Sequence, residues 1–196
     1  MIGERFRVWL RVVIDPMADA IARSGISPNA LSVAGASFHV LVAWLLAEGR
    51  LLSAAVVLLV SSGIDGIDGT VARRTGQVST FGAFLDSSLD RISEILVYLG
   101  LLLYAVGGSG TAPAAWLVYL ALTGSIMVSY TRARSEAVGF PTKVGLATRF
   151  ERMSLLWLGL LFGRLQIVLA IIAVGAWLTA GHRILDVRRQ IRSSGG

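Results

Sequence analysis

The sequence predicts an all-α integral membrane protein, and three observations lead to this fold class. Hydrophobic residues make up 55% of the 196 residues, whereas charged residues make up only 15%. Mean hydropathy is +0.71, which is too apolar for an ordinary soluble domain of this length. The apolar residues also fall into six stretches, several of which approach the roughly 20 residues that a spanning helix needs.

Six transmembrane helices are predicted from these stretches. They cover residues 29–48, 51–70, 84–106, 113–130, 153–163 and 165–181. Ser27, Pro28 and Asn29 precede the first stretch and suit the start of a helix, since Ser and Asn cap and Pro fits the first turn. The fifth stretch is short by itself, so its helix is predicted to begin earlier, near Thr148, with Arg149 and Arg152 in its cytoplasmic turn.

The N-terminal residues 1–24 are predicted to form an amphipathic helix at the membrane interface. Arginines and apolar residues interleave there, and the segment lacks the apolar core and cleavage site of a signal peptide. No repeat, low-complexity segment or long linker divides the rest of the chain. We therefore expect a single membrane domain over residues 1–196, with a juxtamembrane helix at 1–24 and a six-helix core at 25–190.

The basic residues predict the orientation of this domain. Six spans place both termini on one side, and only Arg50 and Arg164 of the 18 Lys and Arg residues fall in loops on the opposite side. The positive-inside rule makes the arginine-rich side cytoplasmic, so we expect a multi-pass plasma-membrane protein with both termini in the cytoplasm. The net charge of +6 would attract the protein to anionic lipid headgroups. The basic residues are distributed as membrane topology requires, which argues against a nucleic-acid partner. Cysteine is absent, which excludes disulfides and thiolate metal sites.

Four aspartates interrupt the apolar pattern between residues 65 and 90. Asp65 and Asp68 are three residues apart and Asp86 and Asp90 are four apart, so each pair projects from one face of a helix. Four carboxylates brought together would repel one another unless a cation neutralised them, and hard oxygen ligands suit Mg²⁺ or Mn²⁺. The pattern therefore predicts a divalent metal site. The alternative is an ion pathway, as in a cation transporter, since intramembrane carboxylates commonly serve one.

The spacing around these aspartates resembles the motif of the CDP-alcohol phosphotransferases, integral membrane enzymes of phospholipid synthesis. Eight positions match, in the pattern Asp65-x2-Asp68-Gly69-x2-Ala72-Arg73-x8-Gly82-x3-Asp86-x3-Asp90. An ion pathway has no need of the glycine, alanine and arginine positions. The resemblance implies an enzyme that takes a CDP-lipid donor of the diacylglycerol or archaeol type, and it implies a homodimer.

The resemblance also implies a role for each carboxylate. Asp65, Asp68 and Asp86 would hold one metal ion, and Asp65, Asp86 and Asp90 would lie near a second. Asp90 is then the candidate general base, which would take the proton of an acceptor alcohol.

The remaining motif positions are expected to bind the CDP-lipid together with Asp65 and Asp68. By resemblance, Gly69 and Ala72 lie where the cytidine is accommodated, and Arg73 would meet the diphosphate as a fork-shaped donor. Gly82 sits one helical turn before Asp86 and leaves room beside it.

A second set of polar residues is the candidate binding site for the acceptor. It consists of Ser129, Arg132, Arg134, Arg149, Arg152 and Arg183. Guanidinium groups bind phosphate in a bidentate manner, so this set predicts a phosphorylated alcohol. It resembles the subgroup that makes phosphatidylinositol phosphate, with Arg132 in place of a Lys and Phe150 in place of a Pro. We expect inositol phosphate as acceptor, with glycerol 3-phosphate as the alternative, and topology alone could account for each arginine.

Overall fold

The computed structural model describes residues 16–108 and 112–194, apart from the side chains of Asp65 and Gly66, and most of these residues are helical. These residues contain no strand. The six long helices are α1 (Pro28–Ala47), α2 (Leu51–Thr75), α3 (Thr80–Val106), α4 (Ala115–Ala137), α5 (Arg149–Leu161) and α6 (Leu165–Ser193). Residues 16–23 form a shorter helical segment before α1. The predicted interfacial helix at 1–24 lies largely outside the described residues, so it stays a prediction.

Each of the six predicted stretches coincides largely with one helix, and five of the helices are longer than their apolar runs. Helix α6 continues to Ser193, twelve residues past the last apolar stretch, and α4 continues to Ala137. A helix can continue into water once its apolar part ends, because its backbone groups remain paired. The early start of the fifth helix is confirmed. Thr148 caps α5 in a capping box, in which its backbone N–H donates to Oε2 of Glu151 at 2.6 Å.

Three helices, α1, α2 and α6, are long and apolar enough to cross a membrane, judged by length and composition within the described residues. Helix α5 has 13 residues and spans about 20 Å at 1.5 Å per residue, which is less than the hydrocarbon thickness of about 30 Å. An apolar, all-helical chain is therefore observed, and the count of six spanning helices stays a prediction.

The chain divides into two compact units, one of residues 1–42 with 56–96 and the other of residues 43–55 with 97–196. In the first unit, the segment 16–23 packs on α2. Ala18 is fully buried against Ile67 and Val71, and Arg74 forms an ion pair with Asp19. These contacts hold the segment beside the C-terminal half of α2. The expected single domain stays a prediction.

A buried polar pair joins α1 to α2 within the same unit. His39 and Ser61 are 1% and 0% exposed. The Nε2 atom of His39 lies 3.5 Å from Oγ of Ser61, and its Nδ1 atom lies 3.1 Å from the carbonyl oxygen of Gly35. His39 is thus a packed, hydrogen-bonded residue.

The second unit is built around the packing of α6 on α4 and α5. An ideal Cβ on Gly124 of α4 would lie 3.0 Å from the ring of Trp177, and one on Gly159 of α5 would lie 3.0 Å from Val168. These glycines let α4 and α5 approach α6 closely. The indole of Trp157 donates to the carbonyl of Ala55 at 3.1 Å, which ties α5 to the start of α2.

Candidate active site

Asp68 is buried in the first unit and its carboxylate is oriented by two donors. Its side chain is 6% exposed. The hydroxyl of Ser32 on α1 donates to Oδ2 of Asp68 at 2.5 Å, and the backbone N–H of Gly69 donates to Oδ1. Hydrogen bonds to both oxygens fix the rotamer of this carboxylate. Sequence reasoning missed Ser32, because only the packing of α1 on α2 brings its hydroxyl to Asp68.

Asp68, Asp86 and Asp90 line one narrow cavity of the first unit. Ser32 and Ser93 line it as well. Asp86 and Asp90 of α3 are four residues apart and therefore face the same cavity, as their spacing predicts. Asp90 also has a charged neighbour, since Nη1 of Arg91 lies 3.9 Å from its Oδ2.

The donor set around this cavity fits a hard divalent cation by its chemistry. Carboxylate and hydroxyl oxygens are the ligands that Mg²⁺ and Mn²⁺ prefer. Among the side chains that the structure describes, which exclude Asp65, no three His, Asp or Glu residues come close enough together to hold an ion. Asp65 precedes Asp68 by three residues on α2, and its role as a metal ligand stays a prediction.

A larger cavity of about 300 Å³ opens beside these carboxylates. Its wall includes every predicted CDP-lipid residue whose side chain is described, namely Asp68, Gly69, Ala72, Arg73 and Gly82, and Asp86 lines it too. Pro28 and Asn29, which the sequence favoured as a helix start over a direct role in binding, begin α1 and also line this cavity. Gln77 and Ser79 contribute as well. They lie between two helices, where no helical periodicity marks them.

Small residues keep this cavity open. An ideal Cβ on Gly82 would lie 3.0 Å from Oγ of Ser79 and 3.3 Å from Oδ1 of Asn29. One on Gly69 would lie 3.5 Å from Nη1 of Arg73. The exposed guanidinium of Arg73 donates to Oγ1 of Thr70 at 3.1 Å and rests over Gly69. The cavity therefore offers a cationic group, carboxylates and a flat glycine surface together.

The second unit contains the arginines that the sequence assigned to the acceptor. Arg152 and Arg183 are 1% and 3% exposed. Nη1 of Arg152 donates to the carbonyl of Ala147 at 2.6 Å, and Nε of Arg183 donates to the carbonyl of Val144 at 3.0 Å. Part of each guanidinium is thus used within the protein, which sequence reasoning did not foresee. Nη1 of Arg183 also donates to the carbonyl of Val128 on α4.

Arg132 and Arg134 lie on different faces of α4. Arg132 pairs with Glu136 at 3.0 Å on an exposed face and is close enough to Arg183 to interact with it electrostatically. Arg134 instead lines, with Arg183, a separate cavity of about 230 Å³. Two residues apart on a helix are about 200° apart, which explains the divergence. Ser129 is half-buried on α4, and Arg149 is the first residue of α5.

Comparison with known proteins defines the class of this one. The family model described as CDP-alcohol phosphatidyltransferase matches residues 25–185, and the chain belongs to this family of membrane-embedded enzymes of phospholipid biosynthesis. It is 32% identical to the archaetidylinositol phosphate synthase of Pyrococcus horikoshii over 95% of this chain and 97% of that one. It is 34% identical to the phosphatidylinositol phosphate synthase of Streptomyces avermitilis, over 97% of this chain and 84% of that one.

A solved structure shares the fold. The phosphatidylinositol phosphate synthase of Mycobacterium tuberculosis with CDP-DAG bound superposes with a TM-score of 0.81 at 28% identity, covering 89% of this chain and 93% of that one. The same enzyme has been crystallised with manganese and citrate, at a TM-score of 0.83 and 29% identity, covering 89% and 88%. The predicted family resemblance is confirmed, and family membership favours a transferase over the cation transporter.

Proposed function

We propose that this chain transfers the lipid-phosphate group of a CDP-lipid to a phosphorylated alcohol, inositol phosphate, and releases CMP. The observation that carries the proposal is that Gly69, Ala72, Arg73 and Gly82 line one cavity with the carboxylates Asp68 and Asp86. This cavity has room for a nucleotide at its glycine wall and a guanidinium for a diphosphate. The M. tuberculosis relative, whose structure contains CDP-DAG, supports the choice of donor.

Each motif residue then has a task in the reaction. The oxygen of the acceptor alcohol attacks the β-phosphorus of the CDP-lipid, the bond from that phosphorus to the bridging oxygen breaks, and CMP leaves with the bond's electrons. Asp90 takes the acceptor's proton as the new bond forms, since a carboxylate is too weak a base to remove it beforehand. Arg73 holds the diphosphate in line for attack.

The carboxylates are assigned to the metal. Two Mg²⁺ or Mn²⁺ ions, held by Asp65, Asp68, Asp86 and Asp90, would stabilise the charge that develops on the departing CMP. Ser32 orients Asp68 through the hydrogen bond described above. The relative crystallised with manganese supports a divalent ion of this kind.

The phosphate of the acceptor is assigned to the arginines of the second unit. Arg132 and Arg152 each lie close enough to Arg183 to repel it, and the carboxylate of Glu136 attracts it. The phosphate of the acceptor would add a second anion among these guanidiniums and be attracted by each of them. Ser129, Arg134 and Arg149 complete the proposed set. The names of the relatives favour inositol phosphate, and glycerol 3-phosphate is the alternative anionic acceptor.

The setting proposed for this reaction is the cytoplasmic leaflet of the plasma membrane. The enzyme would be a homodimer with six spanning helices per subunit and both termini in the cytoplasm. Apolar α1, α2 and α6 and the distribution of arginines support this arrangement.

A panel of acceptors tests the proposal. Purified protein is incubated with CDP-diacylglycerol or CDP-archaeol and with inositol phosphate, free inositol or glycerol 3-phosphate, and both CMP and lipid product are measured. We expect CMP release and product with inositol phosphate and none with free inositol. Equal reaction of free inositol would defeat the phosphate-binding role of the arginines. Reaction with glycerol 3-phosphate alone would keep that role and change the acceptor.

A further inference from the structure

The loop between α4 and α5, residues 138–148, lies along a polar stripe of α6. Four residues of α6 contact it, and they share one face of the helix because they are spaced by four, three and four positions. They are Thr179, Arg183, Asp186 and Gln190. At 3.6 residues per turn these positions fall within about 60° of one another. The loop has no regular secondary structure, and its contacts with these four residues of α6 hold it in place.

The first two contacts hold the half of the loop that leads into α5. The backbone N–H of Ala147 donates to Oγ1 of Thr179 at 3.3 Å, and Nε of Arg183 donates to the carbonyl of Val144 at 3.0 Å. Between them, Gly145 adopts a φ of +106°, and a Cβ at this position would clash with the side chain of Thr179. The backbone of the loop is thus pressed directly against α6.

The other two contacts hold the half of the loop that follows α4. Thr142 is 1% exposed, and its hydroxyl donates to Oδ2 of Asp186 at 2.6 Å. Gln190 donates to the same carboxylate oxygen at 2.9 Å and to the carbonyl of Pro141 at 3.3 Å. The backbone N–H of Thr142 donates in turn to Oγ of Ser135 on α4 at 3.3 Å. Thr142 is therefore fixed from two helices at once.

This row of contacts helps to set where the buried guanidiniums point, together with the bond from Nη1 of Arg183 to the carbonyl of Val128 on α4. Arg183 bonds the loop at Val144, and Arg152 bonds it at Ala147, one residue before the cap of α5. A shift of the loop would move both carbonyls and leave both cations differently placed. Neither Thr142 nor Asp186 belongs to the motif positions or to the acceptor set.

We infer that Thr142 and Asp186 are positioning residues for the acceptor phosphate, which they control by holding the 138–148 loop in register with α6. This inference rests on the proposed function, in which Arg152 and Arg183 bind that phosphate. It assigns a specificity role to a threonine and an aspartate that do not themselves touch the substrate.

The test compares Thr142→Val, which keeps the shape and removes the donor, with Thr142→Ser, which keeps the hydroxyl. We expect Thr142→Val to raise the acceptor KM about fivefold to tenfold with the CDP-lipid KM unchanged, because a hydrogen bond to a charged group is lost. Thr142→Ser should restore the acceptor KM to within about twofold of the wild type. The matched control is Thr123→Val on α4, whose hydroxyl donates to Tyr119 in its own helix at 2.8 Å.

Inorganic phosphate supplies a readout that a general loss of stability would not move. It competes for the phosphate subsite, so its inhibition constant should rise in Thr142→Val in parallel with the acceptor KM. An unchanged acceptor KM in Thr142→Val, or an equal rise in Thr142→Ser, would overturn the inference. If Thr142→Val does not fold, Gln190→Met decides the matter, because it removes only the outermost contact. We expect a rise of about twofold to threefold in the acceptor KM of that variant, and wild-type kinetics would overturn the inference.

Arg183→Lys separates this inference from the proposed function. If Arg183→Lys leaves the acceptor KM unchanged, the arginine site itself is wrong. If Arg183→Lys raises the acceptor KM and Thr142→Val does not, the arginine site stands and the positioning role of the loop contacts fails.

Discussion

The hydroxyl of Ser32 and the carboxylate of Asp68 form a buried hydrogen bond of 2.5 Å between α1 and α2. This bond connects Asp68, a residue of the aspartate motif, to α1, a helix that contains no residue of that motif. A positioned carboxylate loses less entropy when it takes up a metal ion than one that must first be ordered. Through this hydrogen bond, α1 would help to position a carboxylate of α2 for metal binding.

Replacing Ser32 by Ala should weaken metal-dependent activity about tenfold, because a buried charged acceptor loses its donor. Ser32→Thr should recover most of the loss. The same change at Ser37 serves as the control, since its exposed hydroxyl donates to Val33 of its own helix at 2.8 Å. Activity is measured against Mg²⁺ concentration. Identical metal dependence in Ser32→Ala and wild type would mean that Asp68 needs no such orientation.

Asp86→Asn should abolish transfer while the protein stays folded, and chelation of the metal should do the same to the wild type. We expect a loss of at least about a hundredfold, since a catalytic metal contributes several kcal/mol and about 1.4 kcal/mol corresponds to tenfold. CMP release is measured beside thermal unfolding. Glu48→Gln, a carboxylate in the turn between α1 and α2, is the control. Full CMP release by Asp86→Asn would refute the metal assignment.

Asp90→Asn should lower turnover more than it weakens CDP-lipid binding. The proposed proton transfer belongs to the chemical step and contributes about 10²–10⁴-fold, whereas Asp65, Asp68 and Asp86 still hold the metal at the donor. The dissociation constant of the CDP-lipid and kcat are measured separately. A fall in binding that matches the fall in turnover would make Asp90 chiefly a metal ligand.

Gly82→Ala should raise the KM of the CDP-lipid about tenfold and leave the acceptor KM unaltered. The added methyl would lie 3.0 Å from Ser79 and 3.3 Å from Asn29, and overpacking of this kind costs roughly 1–3 kcal/mol. Gly63→Ala on α2 is the control, because no described atom beyond its chain neighbours and the backbone of its own helix would lie within 4 Å of that methyl. Equal donor KM values in the two variants would show that the nucleotide does not occupy this cavity.

The ion pair of Asp19 with Arg74 should show a pH-dependent effect on stability. A hydrogen bond from Arg74 lowers the pKa of Asp19 below its ordinary value of 3.8, against a smaller opposing effect of burial. Because the folded-state pKa is the lower one, the contribution is complete above 3.8 and is lost as the pH falls through the folded-state value.

Asp19→Asn should therefore lower the Tm slightly at pH 7 and leave it unchanged well below the folded-state pKa. The effect is small because both side chains are partly exposed. Thermal unfolding of both proteins in one detergent across this range measures it. A Tm difference that persists in acid would point to packing at residue 19 instead of charge.

Much of this architecture follows from the sequence, because apolar runs and motif spacing depend on local order. The spacing of Asp86 and Asp90 fixes a common face of α3 in any helical fold. The contact of Ser32 with Asp68 depends instead on how α1 packs on α2. Nothing in the sequence around Ser32 distinguishes it from the other serines as a partner of Asp68. The burial of Arg183 is a similar case, since its partners Val144 and Val128 are backbone carbonyls that have no residue-type signal.

Helix ends were harder to predict than helix centres. The last apolar run stops at residue 181, yet α6 continues through Asp186 and Gln190, two of the four residues that contact the 138–148 loop. Hydropathy identifies the part of a helix that lies among lipid and says little about its extension into water. Three of the four loop contacts of α6, those of Arg183, Asp186 and Gln190, lie in that extension.

The buried pair of His39 and Ser61 has a consequence for how the chain enters the bilayer. Each residue lies in the middle of a helix that is apolar enough to span, and each alone would present a polar group to hydrocarbon. Only three residues separate α1 from α2, so the two can meet as soon as both have been synthesised. We expect α1 and α2 to leave the translocation machinery together as a helical hairpin. Helix α1 would then partition into lipid only after α2 has been synthesised.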